Sequence, residues 1–85
     1  MPEICRFLGI VIYMYFSDHA PPHFHAKYNR FEITITIEDG VVKGEFPKKA
    51  LRQVLKWYDL HKKELLQNWK LAKQSHALKK IKPLR

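Results

Sequence analysis

The segment Phe31-Glu32-Ile33-Thr34-Ile35-Thr36-Ile37 alternates apolar and polar residues without a break. Successive side chains of a strand point to opposite faces. Phe31, Ile33, Ile35 and Ile37 are therefore expected on a core face, and Glu32, Thr34 and Thr36 on a wet one. Ile10 to Phe16 is a run of β-branched and aromatic residues and predicts a buried strand. Ile10, Ile12, Met14 and Phe16 would share one side of it, and Val11, Tyr13 and Tyr15 the other. Gly9 separates this run from Ile4 to Phe7, a short edge strand or lead-in. His23 to Tyr28 is a further strand, joined to the alternating one by a two-residue turn at Asn29-Arg30. Asn tolerates the positive φ that such a turn needs. Asp39-Gly40 marks another turn, before a last short strand over Val41 to Phe46.

The period then changes. Pro47 stands where a first helical turn begins, and from Lys48 the apolar positions recur at helical spacing. Ala50, Leu51, Val54, Leu55, Tyr58 and Leu60 form one stripe. Leu65, Leu66, Trp69 and Ala72 form a second. His61-Lys62-Lys63 interrupts the two, which predicts either two helices or one kinked helix. Gln74 to Ala77 should end the helical region. The fold class predicted is α+β, an antiparallel meander of about four strands backed by C-terminal helices. Residues 1–77 make the domain, and residues 78–85 a basic extended arm.

Eighty-five residues, 46% of them hydrophobic, leave room for one core. A core of this size gives modest stability, so a homodimer or a partner protein is expected. The longest apolar run, Gly9 to Phe16, is too short to span a bilayer, and no signal-peptide layout is present, so a cytoplasmic location is expected. The one cysteine, Cys5, cannot form an internal disulfide. Sixteen Lys+Arg against eight Asp+Glu give a net charge of +8, and many of the cations lie at or beyond Lys43. That balance suits a nucleic-acid backbone or an acidic protein. Lys48, Lys49, Arg52, Lys56, Lys79, Lys80 and Lys82 are the expected phosphate contacts, with Tyr13, Tyr15 and Tyr28 as stacking surfaces for bases.

Three of the five histidines fall in Asp18-His19-Ala20-Pro21-Pro22-His23-Phe24-His25. With Phe24 in a strand, His23 and His25 point to the same face, Cα atoms ~6.5–7 Å apart. Such a pair can converge on one metal ion, of which Zn, Mn and Ni are the candidates, with Asp18 or His19 arriving across the Pro-Pro corner as a further ligand or orienting group. Without a metal, two imidazoles and a carboxylate can take and give protons in phosphodiester cleavage. The same residues can also simply hold a turn together. All three readings remain open at this point. No Gly-rich phosphate loop, Ser-His-Asp arrangement or Cys-based metal spacing is present.

The stretches Pro2 to Ile12, Met14-Tyr15-Phe16, Asp18 to Ala26, Pro47 to Leu51, Leu65-Leu66-Gln67-Asn68-Trp69 and Leu78 to Leu84 together resemble a small bacterial family, the domain of unknown function numbered four-one-six-zero. Its signature corresponds to Asp18, His19, Pro21, Pro22, His23 and His25. Asn68 and Trp69 match its helix motif, Asn68 as a helix-surface contact and Trp69 as a core anchor. Asn29-Arg30 stands where members often carry Gly, and Lys63 where they often carry an acid. The resemblance implies a small partner protein encoded nearby and a toxin–antitoxin setting. The resulting expectation is a toxin component of a type II pair acting on RNA, a ribonuclease-like hydrolase. In it His23 and His25 form the acid–base or metal pair, Asp18 is the orienting carboxylate and His19 an auxiliary. The alternative is a non-catalytic protein- or nucleic-acid-binding module, an antitoxin or adaptor with structural histidines.

Overall fold

The computed structural model describes residues 2–16 and 18–84. Five strands, β1 (Glu3–Phe7), β2 (Ile10–Tyr13), β3 (His23–Tyr28), β4 (Phe31–Thr36) and β5 (Val42–Glu45), precede one long helix, α1 (Lys48–Lys73). The sheet order is β1-β2-β3-β4-β5 and every neighbouring pair is antiparallel. This is the α+β meander that the period-two segments followed by a helical period imply. The expected lead-in over Ile4 to Phe7 belongs to a true edge strand, Glu3–Phe7, which makes five strands where about four were expected.

The turn at Asn29 has the positive φ of 53° expected of it. The helix starts one residue later than Pro47, which instead occupies the N-cap position. Its end at Lys73 and the break at His61 (φ −125°, ψ 22°) fall where the stripe pattern stops and shifts.

One face of the sheet carries the core. Ile4, Ile10, Ile12, Met14, Phe24, Ile33, Ile35 and Ile37 are buried against Val54, Trp57, Tyr58, Leu65 and Trp69 of α1. Ile33, Ile35 and Ile37 therefore do what their alternation predicts. Three apolar residues that the pattern assigns to core positions do not join the core. Phe31 opens β4 at the hairpin end and stays 38% exposed. Phe16 lies beyond the end of β2, and Leu60 is 67% exposed on the helix. The alternation ends when the strand does, so Phe16 no longer follows the register of Ile10 and Ile12.

Residues 78–84 form neither helix nor strand, and they dock on the domain; Arg85 is outside the described residues. The Ile81 N–H donates to Ile4 O at 2.9 Å, and its side chain is buried. The Trp57 indole donates to Lys82 O at 2.8 Å. Asn68, only 1% exposed, clasps the backbone of Lys79, accepting from its N–H and donating to its carbonyl, each at 2.9 Å. Asn68 is thus a buried clamp and not a helix-surface contact. Trp69 is the core anchor expected of it. The tail also covers β1, the sheet edge that a meander leaves open.

Candidate functional site

Phe24 points into the core, so strand alternation turns its neighbours His23 and His25 away from it, to the opposite face of the sheet. The ladder sets Tyr13, His25, Thr34 and Lys43 side by side across β2, β3, β4 and β5, and His23 beside Thr36. The connection from β2 to β3 carries Asp18 back over this end of the sheet.

There Asp18 Oδ2 lies 2.9 Å from His23 Nε2 and 3.2 Å from His25 Nε2. These three ligand-type atoms lie within 4.8 Å of one another. The other carboxylate oxygen, Oδ1, accepts the His19 N–H at 2.8 Å. The remaining nitrogens of the two imidazoles also meet oxygens. His23 Nδ1 donates to Pro21 O at 2.8 Å. His25 Nδ1 is buried and has no hydrogen-bond partner among the described residues, and Glu32 Oε2 is 3.8 Å away. Glu32 in turn accepts a short hydrogen bond from the Tyr13 hydroxyl.

Aromatic rings fix both imidazoles. His25 stacks on Tyr13 at 4.9 Å between ring centres and meets the edge of Tyr15 at 4.8 Å. His23 lies 5.3 Å from the Trp69 ring, which brings the last turns of α1 to the site. Lys73 also reaches the site from α1, its Nζ 3.4 Å from the Asp18 carbonyl. Beside His23 is a cavity of about 240 Å³ lined by Ala20, Pro21, Thr34, Thr36 and Lys43.

The electrostatics follow from these contacts. Burial pushes the Asp18 carboxyl up, but the His19 N–H, the His25 hydrogen bond and the charges of His23 and His25 outweigh it. The group is held below the usual carboxylate range. Burial, then the hydrogen bond and charge of Glu32, raise the Tyr13 phenol far above an ordinary tyrosine. Tyr13 is 1% exposed and works as a prop for Glu32, which leaves no open ring face for a base.

Among the residues singled out by sequence, the structure brings Asp18, His23 and His25 to one point. His19 joins through its backbone N–H, and its imidazole is not part of the cluster. Lys48, Lys49, Arg52 and Lys56 are exposed on the first half of α1, and Lys49 lines a groove with Tyr28 and Leu8. Tyr28 is the far end of β3 from His23, roughly 16 Å along the strand. Lys49 is therefore remote from His23. Lys79, Lys80 and Lys82 are exposed on the docked tail, where Lys80 Nζ donates to Glu3 O at 2.8 Å. Glu32, Tyr13 and Lys43 were not singled out as cluster residues. Their positions on the wet face were readable from alternation, but the strand pairing that sets Tyr13 and Lys43 in line with His25, and Glu32 diagonal to it, was not.

The fold and the site together define a two-layer α+β domain with a His–Asp cluster on the face of its sheet opposite the core. The chain matches, over residues 9–70, the family described as Domain of unknown function (DUF4160), and it belongs to that family. No curated protein and no solved structure matches it. Among the described residues, no helix is long and apolar enough to cross a membrane.

Proposed function

We propose that this chain is the toxin component of a bacterial type II toxin–antitoxin pair, working in the cytoplasm and cleaving RNA at the Asp18–His23–His25 cluster. The observation that carries this reading is the convergence of both Nε2 atoms on one carboxylate oxygen beside a cavity that also holds Lys43. Phosphodiester cleavage requires a proton to leave the attacking hydroxyl and another to reach the departing oxygen. His25, held between two tyrosines, is the fixed member of the pair. His23 borders the cavity, where Lys43 and the hydroxyls of Thr34 and Thr36 suit a phosphate group. The net charge of +8 supports long-range attraction to a polyanion. The exposed cations of α1 suit a small acidic antitoxin.

Induced expression in a bacterial host is expected to arrest growth with RNA loss, and His23→Ala and His25→Ala are each expected to abolish both. Circular dichroism checks that the variants remain folded. Arrest that survives both changes in folded protein sinks the cluster's role in cleavage.

One observation favours a second reading, a non-catalytic binding module. Asp18 Oδ1 to His19 N–H and His23 Nδ1 to Pro21 O both tie the connection to itself. A folded protein that binds RNA or a partner but neither arrests growth nor cleaves RNA would select that reading.

A further inference from the structure

We infer that Asp18, His23 and His25 form a divalent-metal centre, binding one first-row transition ion through Asp18 Oδ2 and the two Nε2 atoms. The inference deepens the site of the proposed cleavage and rests on that reading only for the use made of the ion; binding itself stands on the geometry.

A carbonyl oxygen can only accept, so the 2.8 Å contact with Pro21 O places a proton on His23 Nδ1. In a neutral imidazole Nε2 then carries a lone pair, and that lone pair faces a carboxylate oxygen at 2.9 Å. His25 has the same difficulty in either tautomer. With its proton on Nε2, the buried Nδ1 turns a lone pair towards Glu32 Oε2 at 3.8 Å. With its proton on Nδ1, Nε2 turns a lone pair towards Asp18 Oδ2 at 3.2 Å.

With both imidazoles neutral, one cation at the common point satisfies every group at once. Both Nε2 lone pairs and the Asp18 oxygen bind it, while both Nδ1–H groups face outward to oxygen. Pro21 O and the Glu32 carboxylate are then the outer partners that hold ligating imidazoles in one orientation. Tyr13 holds Glu32. The two distances to the carboxylate agree as well. Ligand atoms ~2.0–2.1 Å from an ion, at tetrahedral to octahedral angles, lie ~2.9–3.4 Å from one another, against 2.9 and 3.2 Å here, with the three residues' ligand atoms all within 4.8 Å.

Two imidazoles and one carboxylate favour zinc, nickel, manganese or ferrous iron over magnesium or calcium, which prefer all-oxygen sites. Three protein ligands leave further positions for water and a phosphate oxygen, as catalytic sites do. The cavity with Lys43 lies on that side of His23.

The test uses the full chain stripped with a chelator. Zn²⁺ is titrated by calorimetry and Co²⁺ by its visible absorption, with quenching of the Trp69 emission as a local reporter. One equivalent is expected to bind, and Asp18→Asn and His25→Gln are expected to abolish uptake. Glu32→Gln is expected to keep the stoichiometry and weaken binding roughly 10–100-fold. Should a ligand variant fail to fold, nitrogen NMR of the wild-type imidazoles carries the test. Zinc must then shift Nε2 of His23 and His25 and leave His19, His61 and His76 in place. Folded wild-type protein that takes up neither ion, or uptake unchanged in both ligand variants, overturns the centre. RNA cleavage by the metal-free protein would also overturn the ion's role while leaving the cleavage reading intact. Metal uptake without cleavage would do the reverse.

Discussion

At the scale of single residues, the polar groups under the surface are the most consequential. Tyr58 is buried on α1 and donates to Ile37 O at 2.5 Å, tying the helix to the turn after β4. Burial, then the charges of Asp59 and Asp39, raises its phenol above the ordinary value of 10. A group raised in the folded state contributes stability that is complete below its unfolded value and is lost as pH rises towards the folded one. Stability measured in urea should therefore hold up to about pH 10 and fall beyond it. Tyr58→Phe should lower stability by about 1 kcal/mol near neutrality and flatten that alkaline decline. An unchanged slope in the variant would assign the decline to other groups. The cluster residues were legible at this scale because Asp18, His23 and His25 are close in sequence and strand alternation fixes the direction of two of them. Glu32 was not, since only the β3–β4 register sets it near His25.

At the scale of elements, period carried most of the reading. Strict alternation located β4, and the change to helical spacing located α1. The shift of stripe at His61 located the break, where no proline or glycine stands. Ends of elements were harder. Phe16 and Phe31 look like core residues in a pattern, and each lies where its strand stops or starts, beyond the cover of the helix. Gly44 shows a constraint no pattern reveals. Its φ is +110°, and a Cβ there would lie 2.7 Å from Glu32 O and 3.1 Å from Ile33 Cγ2. Gly44→Ala must move the backbone of β4 or β5, at an expected cost of about 2 kcal/mol in a denaturant melt. Because the displaced carbonyl belongs to Glu32, the same variant should also disturb the imidazole resonance of His25. Loss of stability without that shift would place the rearrangement wholly in β5.

At the scale of the whole molecule, the layers divide the surface by task. The helix closes one side of the sheet, and the His–Asp cluster lies on the other, at the end that Trp69 and Lys73 of α1 reach. The first half of α1 carries four exposed cations, and Lys49 among them lies by Tyr28 at the far end of β3. Charge counting alone pooled these cations with the cluster, because sequence gives their number and not their separation. The tail was underestimated for a similar reason. Its spaced apolar residues and positive charges describe a solvated arm equally well, and only the fold supplies the partners Ile4, Trp57 and Asn68. Asn68→Ala should leave the Lys79 N–H and carbonyl without their buried partner, costing about 1–3 kcal/mol. It should release the tail before the sheet. Native-state hydrogen exchange checks this through the amides of Lys79 and Ile81, which should lose protection ahead of β3 and β4. Simultaneous loss in all of them would make the tail part of one cooperative unit.

The join between the tail and β1 also has a bearing on time. Lys80 meets Glu3 across 77 residues of chain, so the first strand finds its last neighbour only when nearly everything between has been made. At roughly 5–20 residues per second of synthesis, β1 waits about 4–15 s with its outer edge bare. During that interval the nascent chain presents an open strand to its surroundings. Arrival of Ile81 covers that edge of an already assembled sheet.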